Sequence, residues 1–347
     1  MRVVVLGAGL VGTRTAEFLA RSNEHEVVLV AQSRRRPAQA GVEVAQGWPH
    51  PAAASADMVV LATESARQFE IASKLVSEGT SVIATADSPR AVKQLLSLDQ
   101  QARVKGVTVM VGAAYSPGVS TLLAAHLARG FDHVRSLSTA QFGTGGPACA
   151  REHHRATGST APEVRRGQLT KMRGGSGREL VWFPDPIGAA DCYRAGLADP
   201  YVLQRAFPNA DRIQSRQAAT RRDRLTSRLP MLRPPHREGL EGAVWAEVRG
   251  VVDGRVEHRA MAATGPQATG AAAFAAGCCE MLGKKGGKGM GQGAQSAATL
   301  DNLVLLLRHI SKDVGLWAYD STQIVAKHGV SSATRAARKW SIAGKTG

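Results

Sequence analysis

The residues of this chain whose spacing best predicts chemistry are three glycines near its start. Gly7, Gly9 and Gly12 form the pattern Gly-x-Gly-x-x-Gly between the run RVVVL and a helical pattern over 11–20. In this context the first glycine allows a tight turn, the second lets the backbone approach a pyrophosphate, and the third lets the helix pack closely on the strand. The helix N-terminus then supplies amide donors to the phosphates. A glycine-rich turn without a ligand is the alternative. The residues expected to contact a dinucleotide here are Gly7, Ala8, Gly9, Leu10, Val11 and Gly12.

A basic run follows the second predicted strand, which spans about 25–31. In sites specific for NAD, an Asp or Glu about 20 residues past the glycines binds the ribose 2′-hydroxyl. This chain instead has QSRRR at 32–36. A carboxylate would repel a 2′-phosphate, whereas a hydroxyl and guanidinium groups can hydrogen-bond it. The pattern therefore predicts NADP (NADPH) rather than NAD, bound by Ser33, Arg34 and Arg35. A solvated charge run is the alternative.

Strands and helices alternate through the first third of the chain. Strand-like runs at 57–62, 80–85 and 107–111 are separated by helical patterns at 67–77 and 91–102. This alternation predicts an α/β fold with a Rossmann-type doubly wound parallel sheet. Because such sheets bind ligands at the carboxyl ends of their strands, the residues after each strand are candidate cofactor contacts. These are Ala62, Thr63, Ala86 and Asp87.

Candidate catalytic and substrate-binding residues follow the last of these strands. Tyr115 and Ser116 carry hydroxyl groups, and Ser116, Pro117 and Gly118 precede an amphipathic helical stretch that runs through His126. We predict catalytic roles for Tyr115 and Ser116 and substrate contacts for residues 116–118. The alternative for the hydroxyls is an ordinary turn in which one of them caps the helix.

The segment GTGGPACAREHHRATG supplies further candidates. Arg151 could bind a substrate carboxylate, and His153 or His154 could transfer a proton because histidine titrates near neutral pH. Adjacent histidines do not share a helix face, and no acid stands at metal-ligand spacing, so no metal site is predicted. Surface residues are the alternative for all three side chains. Asp185 and Tyr193 are additional candidates without a supporting pattern.

The run SVIATADSPRAVKQLLSLDQQARVKGVTVMVGAAYSPGVSTLLAAHLA resembles the saccharopine dehydrogenase and saccharopine reductase family, with matches at Ser88-Pro89 and Pro117-Gly118. The later runs WFPDPIG and AMAATGPQATGAAAFAAGCCEML are similar to the family's substrate domain and returning helix. The resemblance covers about residues 1–282. It implies a two-domain architecture, a nicotinamide cofactor and the reaction type. Many members have Asp before Pro-Gly, where this chain has Ser116, a position that faces cofactor and substrate in relatives. The resemblance therefore does not identify the substrate of this chain.

The rest of the chain predicts a second α+β domain. Strand-like runs at 134–142, 179–183, 244–252 and 255–262 indicate a mainly antiparallel sheet, with Asp253-Gly254 as a hairpin turn. We expect irregular helix and loop over 205–237 and a returning helix over 264–282. The basic run GKKGGKGMGQG at 283–293 is predicted to be a linker and not a phosphate-binding loop. An amphipathic helix at 297–313 is expected to pack on the core or on a second copy of the chain.

These patterns divide the chain into a dinucleotide-binding domain at 1–112 with 263–282, a substrate and dimerisation domain at 113–262, and a basic linker, helix and tail at 283–347. A length of 347 residues suits two domains. The formal net charge is +16, yet no nucleic-acid-binding motif is visible, so a polyanionic cofactor is the expected partner of part of that charge. The four cysteines form no C-x-x-C pattern, which favours a reduced cytoplasmic protein, and no apolar run is long enough for a membrane span.

Together the residues and the resemblance predict an NADP-dependent oxidoreductase. It would transfer hydride between NADPH and an imine or carbonyl of a small, carboxylate-bearing, amino-acid-like metabolite, as a monomer or a homodimer. One alternative is a non-catalytic NADP-binding sensor or scaffold, favoured by Ser116 and by the lack of an evident acid–base pair. The other is an enoyl reductase acting on a larger apolar substrate.

Overall fold

The chain forms two compact units, Met1–Ala114 with Ala268–Ala297, and Tyr115–Gln267 with Ala298–Gly347. A computed structural model gives this architecture. The residues that it describes are 1–31, 41–47, 50–231, 235–236, 241–284, 293–296, 317–320 and 340–341.

Strands and helices alternate in the first third of the chain and are followed by longer strands. The elements up to Val111 are β1 Arg2–Leu6, α1 Leu10–Arg21, β2 Glu26–Ala31, β3 Val42–Gln46, α2 Pro51–Ala54, β4 Met58–Leu61, α3 Ser65–Ser77, β5 Ser81–Ala84, α4 Pro89–Leu96, α5 Asp99–Lys105 and β6 Thr108–Val111. The later elements are α6 Val119–Leu127, β7 His133–Phe142, α7 Pro147–Gly158, β8 Ala161–Arg165, β9 Gln168–Met172, β10 Glu179–Trp182, β11 Ala189–Arg194, α8 Asp199–Ala206, β12 Arg212–Ala218, α9 Arg221–Thr226, β13 Glu241–Val252, β14 Arg255–Pro266, α10 Gln267–Lys284, β15 Gly293–Ser296, β16 Trp317–Asp320 and β17 Trp340–Ser341.

The unit that begins at Met1 is built on a parallel sheet. Its described strands have the order β15-β6-β5-β4-β1-β2-β3, and every neighbouring pair is parallel. Strands β1, β4, β5 and β6 are short apolar runs and almost entirely buried, as strands covered on both faces must be. The strand order reverses at β1 and β4, so the carboxyl ends of these two strands form the ligand-binding crevice of a doubly wound sheet. The predicted fold class is confirmed.

Helix α10 returns to this unit and packs against α1. Arg14 donates a hydrogen bond to the hydroxyl of Thr269, and the hydroxyl of Thr15 donates to the carbonyl oxygen of Ala272 at 3.5 Å. The sequence predicts a helix from residue 264, but 264–266 are the last residues of β14. The helix begins three residues later because Thr264 and Gly265 still pair with β13.

The second unit is built on a mainly antiparallel sheet. The described strands follow the order β10-β11-β12-β7-β13-β14-β16-β17, with β8 and β9 attached through β12. All pairs are antiparallel except β7 with β12. The predicted turn between β13 and β14 is present: Asp253 and Gly254 have φ of 48° and 74°, as a type I′ hairpin requires.

Strand β12 is the clearest difference from the sequence prediction. We expected irregular helix and loop over 205–237, but Arg212–Ala218 lies between β7 and β11. The sequence RIQSRQA lacks apolar alternation because its buried side chains are polar and satisfied by neighbours. Gln214 donates to Ser138 at 3.0 Å, for example, and the hydroxyl oxygens of Thr139 and Ser215 lie 2.9 Å apart, at hydrogen-bond distance. Burial of hydrogen-bonded polar groups is not visible as hydrophobic periodicity.

Two other predicted helices also differ. The helix expected over 91–102 is two helices, α4 and α5, and the hydroxyl of Ser97 donates to the carbonyl oxygen of Gln94 where α4 ends. Helix α6 is not amphipathic: eight of its nine residues are buried, because it packs against β7, β13, β14 and α8.

Some predictions fall outside the described residues. These include the amphipathic helix over 297–313 and residues 285–292 of the predicted linker. Within the described part of the chain, no helix combines the length and apolar character that crossing a membrane would require.

Candidate functional site

The turn between β1 and α1 has the geometry that the glycine pattern predicts. Gly7 has φ of 110°, and a Cβ there would lie 2.5 Å from the carbonyl oxygen of Ala62. A Cβ on Gly12 would lie 1.8 Å from the oxygen of Gly7, so α1 packs directly on the turn. A Cβ on Gly9 would meet no described atom within 4 Å. Two of the glycines are therefore required by packing, whereas Gly9 borders open space.

The first turn of α1 is suited to an anion. Gly9 is the N-cap and offers no side-chain hydrogen bond, and the first turn contains no acidic residue. The first amide groups of a helix have no partner within the helix, and the dipole places partial positive charge there. The backbone at Leu10, Val11 and Gly12 can thus bind phosphate oxygens, with Ala8 in the turn before them.

The carboxyl end of β4 is fixed by buried polar contacts. Gln68 is fully buried and donates to the carbonyl oxygen of Thr63 at 2.7 Å, which holds the loop after the strand. The buried hydroxyl of Thr63 has no hydrogen-bond partner among the described residues. A buried polar atom without a partner calls for an unseen ligand or water. Thr63 and the preceding Ala62, which is half-buried, thus lie where a dinucleotide is expected.

Asp87 follows β5 and is held by α3. The hydroxyl of Ser65 donates to its carboxylate at 2.6 Å, and the amide of Asp87 donates back to the Ser65 oxygen at 3.3 Å. The side chain of Ala86 is fully buried in protein, so contact with a ligand at that position would come from the backbone.

The residues predicted to select NADP, Ser33, Arg34 and Arg35, lie outside the described residues. The described end of β2 lies beside the glycine turn, because the amide of Gly7 donates to the carbonyl oxygen of Val30 at 3.0 Å. The preference for NADP stays a prediction.

In the second unit, Tyr115 is a buried phenol. Its side chain is 3% exposed, and its hydroxyl has no hydrogen-bond partner among the described residues. Burial, with the negative charge of Glu241 as the smaller contribution, raises the pKa of Tyr115 far above its ordinary value. The phenol therefore keeps its proton and is a hydrogen-bond donor.

Ser116 is bound to a buried carboxylate. Its hydroxyl donates to Asp199 at 2.8 Å, and the hydroxyls of Ser120 and Thr139 donate to the same carboxylate at 2.6 and 3.1 Å. Asp199 is 0% exposed, and burial raises its pKa while the three hydroxyls oppose that rise. The N-cap of α6 is Gly118, which has no side-chain cap, so Ser116 is not the helix cap that was the alternative. Ser116, like Pro117 and Gly118, is buried.

Helix α7 separates the two histidines. His153 is 5% exposed, and its Nε2 lies 3.5 Å from the Sγ of Cys149. The Nε2 of His154 instead lies 2.9 Å from the carbonyl oxygen of Thr226, toward α9. Arg151 is exposed. Adjacent helical positions point in different directions, so the structure groups His153 with Cys149 and not with its neighbour.

A set of buried amides holds α7 in place. Gln217 donates to the carbonyl oxygen of His153 at 2.9 Å and to the hydroxyl of Thr157 at 3.0 Å. Gln141 donates to Gln217 at 3.4 Å, and Gln267 donates to Gln141 at 3.5 Å. This relay links α7 to β12, β7 and the start of α10, and so fixes the backbone that carries Cys149 and His153.

Sequence reasoning missed Cys149 and Asp199. Cys149 and His153 are four residues apart in a helical segment, a spacing that places side chains together and could have been used. Asp199 carries no such signal, because its partner Ser116 is 83 residues away. The further candidates are unremarkable: Asp185 is exposed, and the ring of Tyr193 packs under the guanidinium of Arg224 at 4.1 Å.

Residues 1–113 match the model of an oxidoreductase family with an NAD-binding Rossmann fold, the Gfo/Idh/MocA family. Among solved structures, the chain is similar to saccharopine dehydrogenase (L-Glu forming) from Saccharomyces cerevisiae, with a TM-score of 0.66 and 14% identity over 92% of this chain and 99% of that one. An engineered D-amino acid dehydrogenase matches with a TM-score of 0.50 and 12% identity over 86% and 93% of the chains. DAP dehydrogenase from C. glutamicum matches with a TM-score of 0.49 and 14% identity over 89% and 98%.

The match with a TM-score of 0.66 confirms the predicted resemblance to saccharopine dehydrogenase at the level of the fold. The sheet order, the glycine turn and the family match agree on the first 113 residues. The first 113 residues thus form a Rossmann-type domain that matches the model of an NAD-binding oxidoreductase family, and a second unit built on a mainly antiparallel sheet follows.

Proposed function

We propose that the protein transfers hydride between NADPH and the imine or carbonyl carbon of a small, carboxylate-bearing, amino-acid-like metabolite. The observation that carries this proposal is the glycine turn. Among the described residues, Gly9 borders open space and the hydroxyl of Thr63 has no hydrogen-bond partner. With the uncapped first turn of α1, these features suit a pyrophosphate and its ribose. The fold shared with a saccharopine dehydrogenase supports an amino-acid-like substrate.

The preference for NADP is supported by residue type. Ser33, Arg34 and Arg35 follow the strand whose end normally carries the acid of an NAD site. Guanidinium groups bind a phosphate with charged, bidentate hydrogen bonds.

Bound NADPH supplies the hydride, and the protein must supply a proton and hold the substrate. His153 is the proposed proton donor, since histidine is a frequent general acid. Tyr115, whose protonated phenol has no partner among the described residues, is proposed to donate a hydrogen bond to the reacting atom of the substrate. The exposed guanidinium of Arg151, on the same helix as His153, is the proposed ligand of a substrate carboxylate.

Cofactor selectivity is tested by titrating the protein with NADPH and NADH and following the fluorescence of the reduced nicotinamide. An Arg34→Ala, Arg35→Ala double variant should lose several-fold or more of its NADPH affinity and little of its NADH affinity. An unchanged ratio of the two dissociation constants would refute the role of these residues.

Activity is tested by NADPH oxidation against amino acids mixed with keto acids or semialdehydes. Replacing the proposed proton donor, by His153→Gln, should lower kcat by about 10²–10⁴ while leaving NADPH binding intact. Tyr115→Phe, which removes the proposed hydrogen-bond donor, should also lower kcat. If neither variant changes kcat, the proton comes from another group.

A non-catalytic NADP-binding sensor is the second candidate. The engagement of Ser116 by the buried carboxylate of Asp199 favours it, because that hydroxyl then has a structural partner and needs no substrate. Tight NADPH binding with no turnover across the whole panel would support the sensor over the enzyme.

We also infer a cytoplasmic homodimer. Strand β10 stands at the end of the described order of the second sheet, and its Leu180 and Trp182 are 55% and 49% exposed. An apolar edge strand is a ready surface for a second copy. Light scattering during gel filtration gives the mass of the protein in solution. A monomer at micromolar concentration would contradict the proposed homodimer.

A further inference from the structure

Cys149 and His153 form a thiol–imidazole pair within one helix. Cys149 is the third residue of α7, His153 stands one turn later, and Sγ and Nε2 are 3.5 Å apart. Residues four apart on a helix share a face, so the pair is set by the helix itself. An imidazole nitrogen at this distance can take the thiol proton and leave a thiolate beside an imidazolium.

The position in the helix favours the thiolate. The first turn of α7 contains no acidic residue, and its N-cap, Gly146, offers no side-chain hydrogen bond. The partial positive charge of a helix N-terminus stabilises an anion there. His153 is almost fully buried, its backbone is held by Gln217, and its Nδ1 has no hydrogen-bond partner among the described residues. The ring therefore faces Cys149 from a fixed position.

The other three cysteines provide an internal contrast. Cys192, Cys278 and Cys279 are fully buried. Burial raises the pKa of Cys192 and of Cys278 to about 12, and raises that of Cys279 well above its ordinary value. Cys149 is only half-buried. Its neighbour Gly145 has no side chain, and a Cβ there would stand 3.5 Å from Sγ. Of the four cysteines, Cys149 thus combines partial solvent exposure with an adjacent imidazole base, His153.

We propose that Cys149 is a modification site for hydroperoxides and soft electrophiles, with His153 as its base. In the oxidation, the thiolate sulfur attacks one oxygen of a hydroperoxide and the O–O bond breaks. The leaving oxygen takes the proton from the His153 imidazolium and departs as water or an alcohol. The sulfur loses two electrons and becomes a sulfenic acid, and the peroxide is reduced. A small thiol would restore the cysteine through a mixed disulfide.

The test is differential labelling of the full, reduced chain. Limiting iodoacetamide at neutral pH, followed by peptide mass spectrometry, should modify Cys149 first, and the other three cysteines only after denaturation. Peroxide with dimedone as the trapping reagent should label Cys149 alone. These readouts do not involve NADPH or turnover, so they stand apart from the proposed reductase activity.

His153→Gln should slow the alkylation of Cys149 about threefold at neutral pH, because the variant has a smaller fraction of thiolate. The effect is modest, since the more acidic thiol of the native protein is also the weaker nucleophile once ionised. At alkaline pH, where a thiol ionises unaided, the variant should react like the native protein, which excludes a change in access. His154→Gln is the matched control, because that imidazole faces Thr226, and it should leave the rate unchanged.

Equal labelling of all four cysteines in the folded chain, or an unreactive Cys149, would overturn the proposal. So would equal slowing by His153→Gln and His154→Gln, or slowing by His153→Gln that persists at alkaline pH. Alkylation of Cys149 without dimedone capture would overturn the oxidation step.

Discussion

Replacing Gly9 by alanine separates ligand binding from folding at the glycine turn. The backbone of Gly9 is extended, with φ of −75° and ψ of −174°, a conformation that alanine adopts without strain. The added methyl group meets no described atom within 4 Å. At Gly12 the same change places a Cβ 1.8 Å from the carbonyl oxygen of Gly7, so it must move the backbone.

The expected magnitudes differ accordingly. Gly9→Ala gains about 0.4–1 kcal/mol by restricting the unfolded chain, and loses about 0.5–1 kcal/mol because alanine is a poorer N-cap than glycine. The free energy of unfolding should therefore change by no more than about 0.5 kcal/mol. Gly12→Ala should lower the free energy of unfolding by about 1–3 kcal/mol, because the added methyl group overpacks the turn. For ligand binding, the methyl group of Gly9→Ala blocks the approach of a pyrophosphate, and NADPH affinity should fall at least about tenfold, or about 1.4 kcal/mol.

Two measurements on the same samples separate the effect of each variant on stability from its effect on NADPH binding. Urea unfolding gives the stability of both variants, and NADPH fluorescence titration gives the dissociation constants. A Gly9→Ala protein that is stable and binds NADPH as tightly as the native protein would refute the assignment of this turn to the pyrophosphate.

Two further predictions concern buried carboxylates in the second unit. Burial raises the pKa of Asp199, so above the ordinary value of 3.8 the folded protein retains a proton that the unfolded chain has released, and stability falls as pH rises through that range. Asp199→Asn should remove this slope from urea unfolding measured across pH, and parallel curves for variant and native protein would disprove the linkage. Glu163 is fully buried between two arginine side chains, and Glu163→Gln should lower the free energy of unfolding by about 3 kcal/mol. Glu257→Gln, at a partly exposed ion pair, should lower it by less than about 1 kcal/mol. Equal losses in the two variants would show that burial does not set the strength of these pairs.

Much of the first unit was predictable from the sequence. The β-branched runs at β1, β4, β5 and β6 are buried on both faces and therefore appear as short apolar segments. Boundaries were less accurate: one predicted helix is α4 and α5, and β14 runs three residues into the predicted returning helix. Such errors arise because caps and strand pairing, and not periodicity, set where an element ends.

The second unit was less predictable because its interior is partly polar. Strand β12 was assigned to irregular structure, since Gln214, Ser215 and Gln217 do not resemble a buried strand when their partners are unknown. The same reason hides Asp199, whose three hydroxyl donors come from α6, β7 and the turn before α6.

The sequence by itself determined the glycine turn, the alternation of strands and helices, and the residue types that favour NADP, because these depend on steric and electrostatic requirements within a few neighbouring residues. The tertiary structure alone decided which polar groups are buried together. It placed Ser116 on the carboxylate of a residue 83 positions away, and the relay from Gln267 to Gln217 fixed the helix that carries Cys149. Hydrogen bonds between distant segments depend on how the strands pair, and local sequence patterns do not determine that pairing.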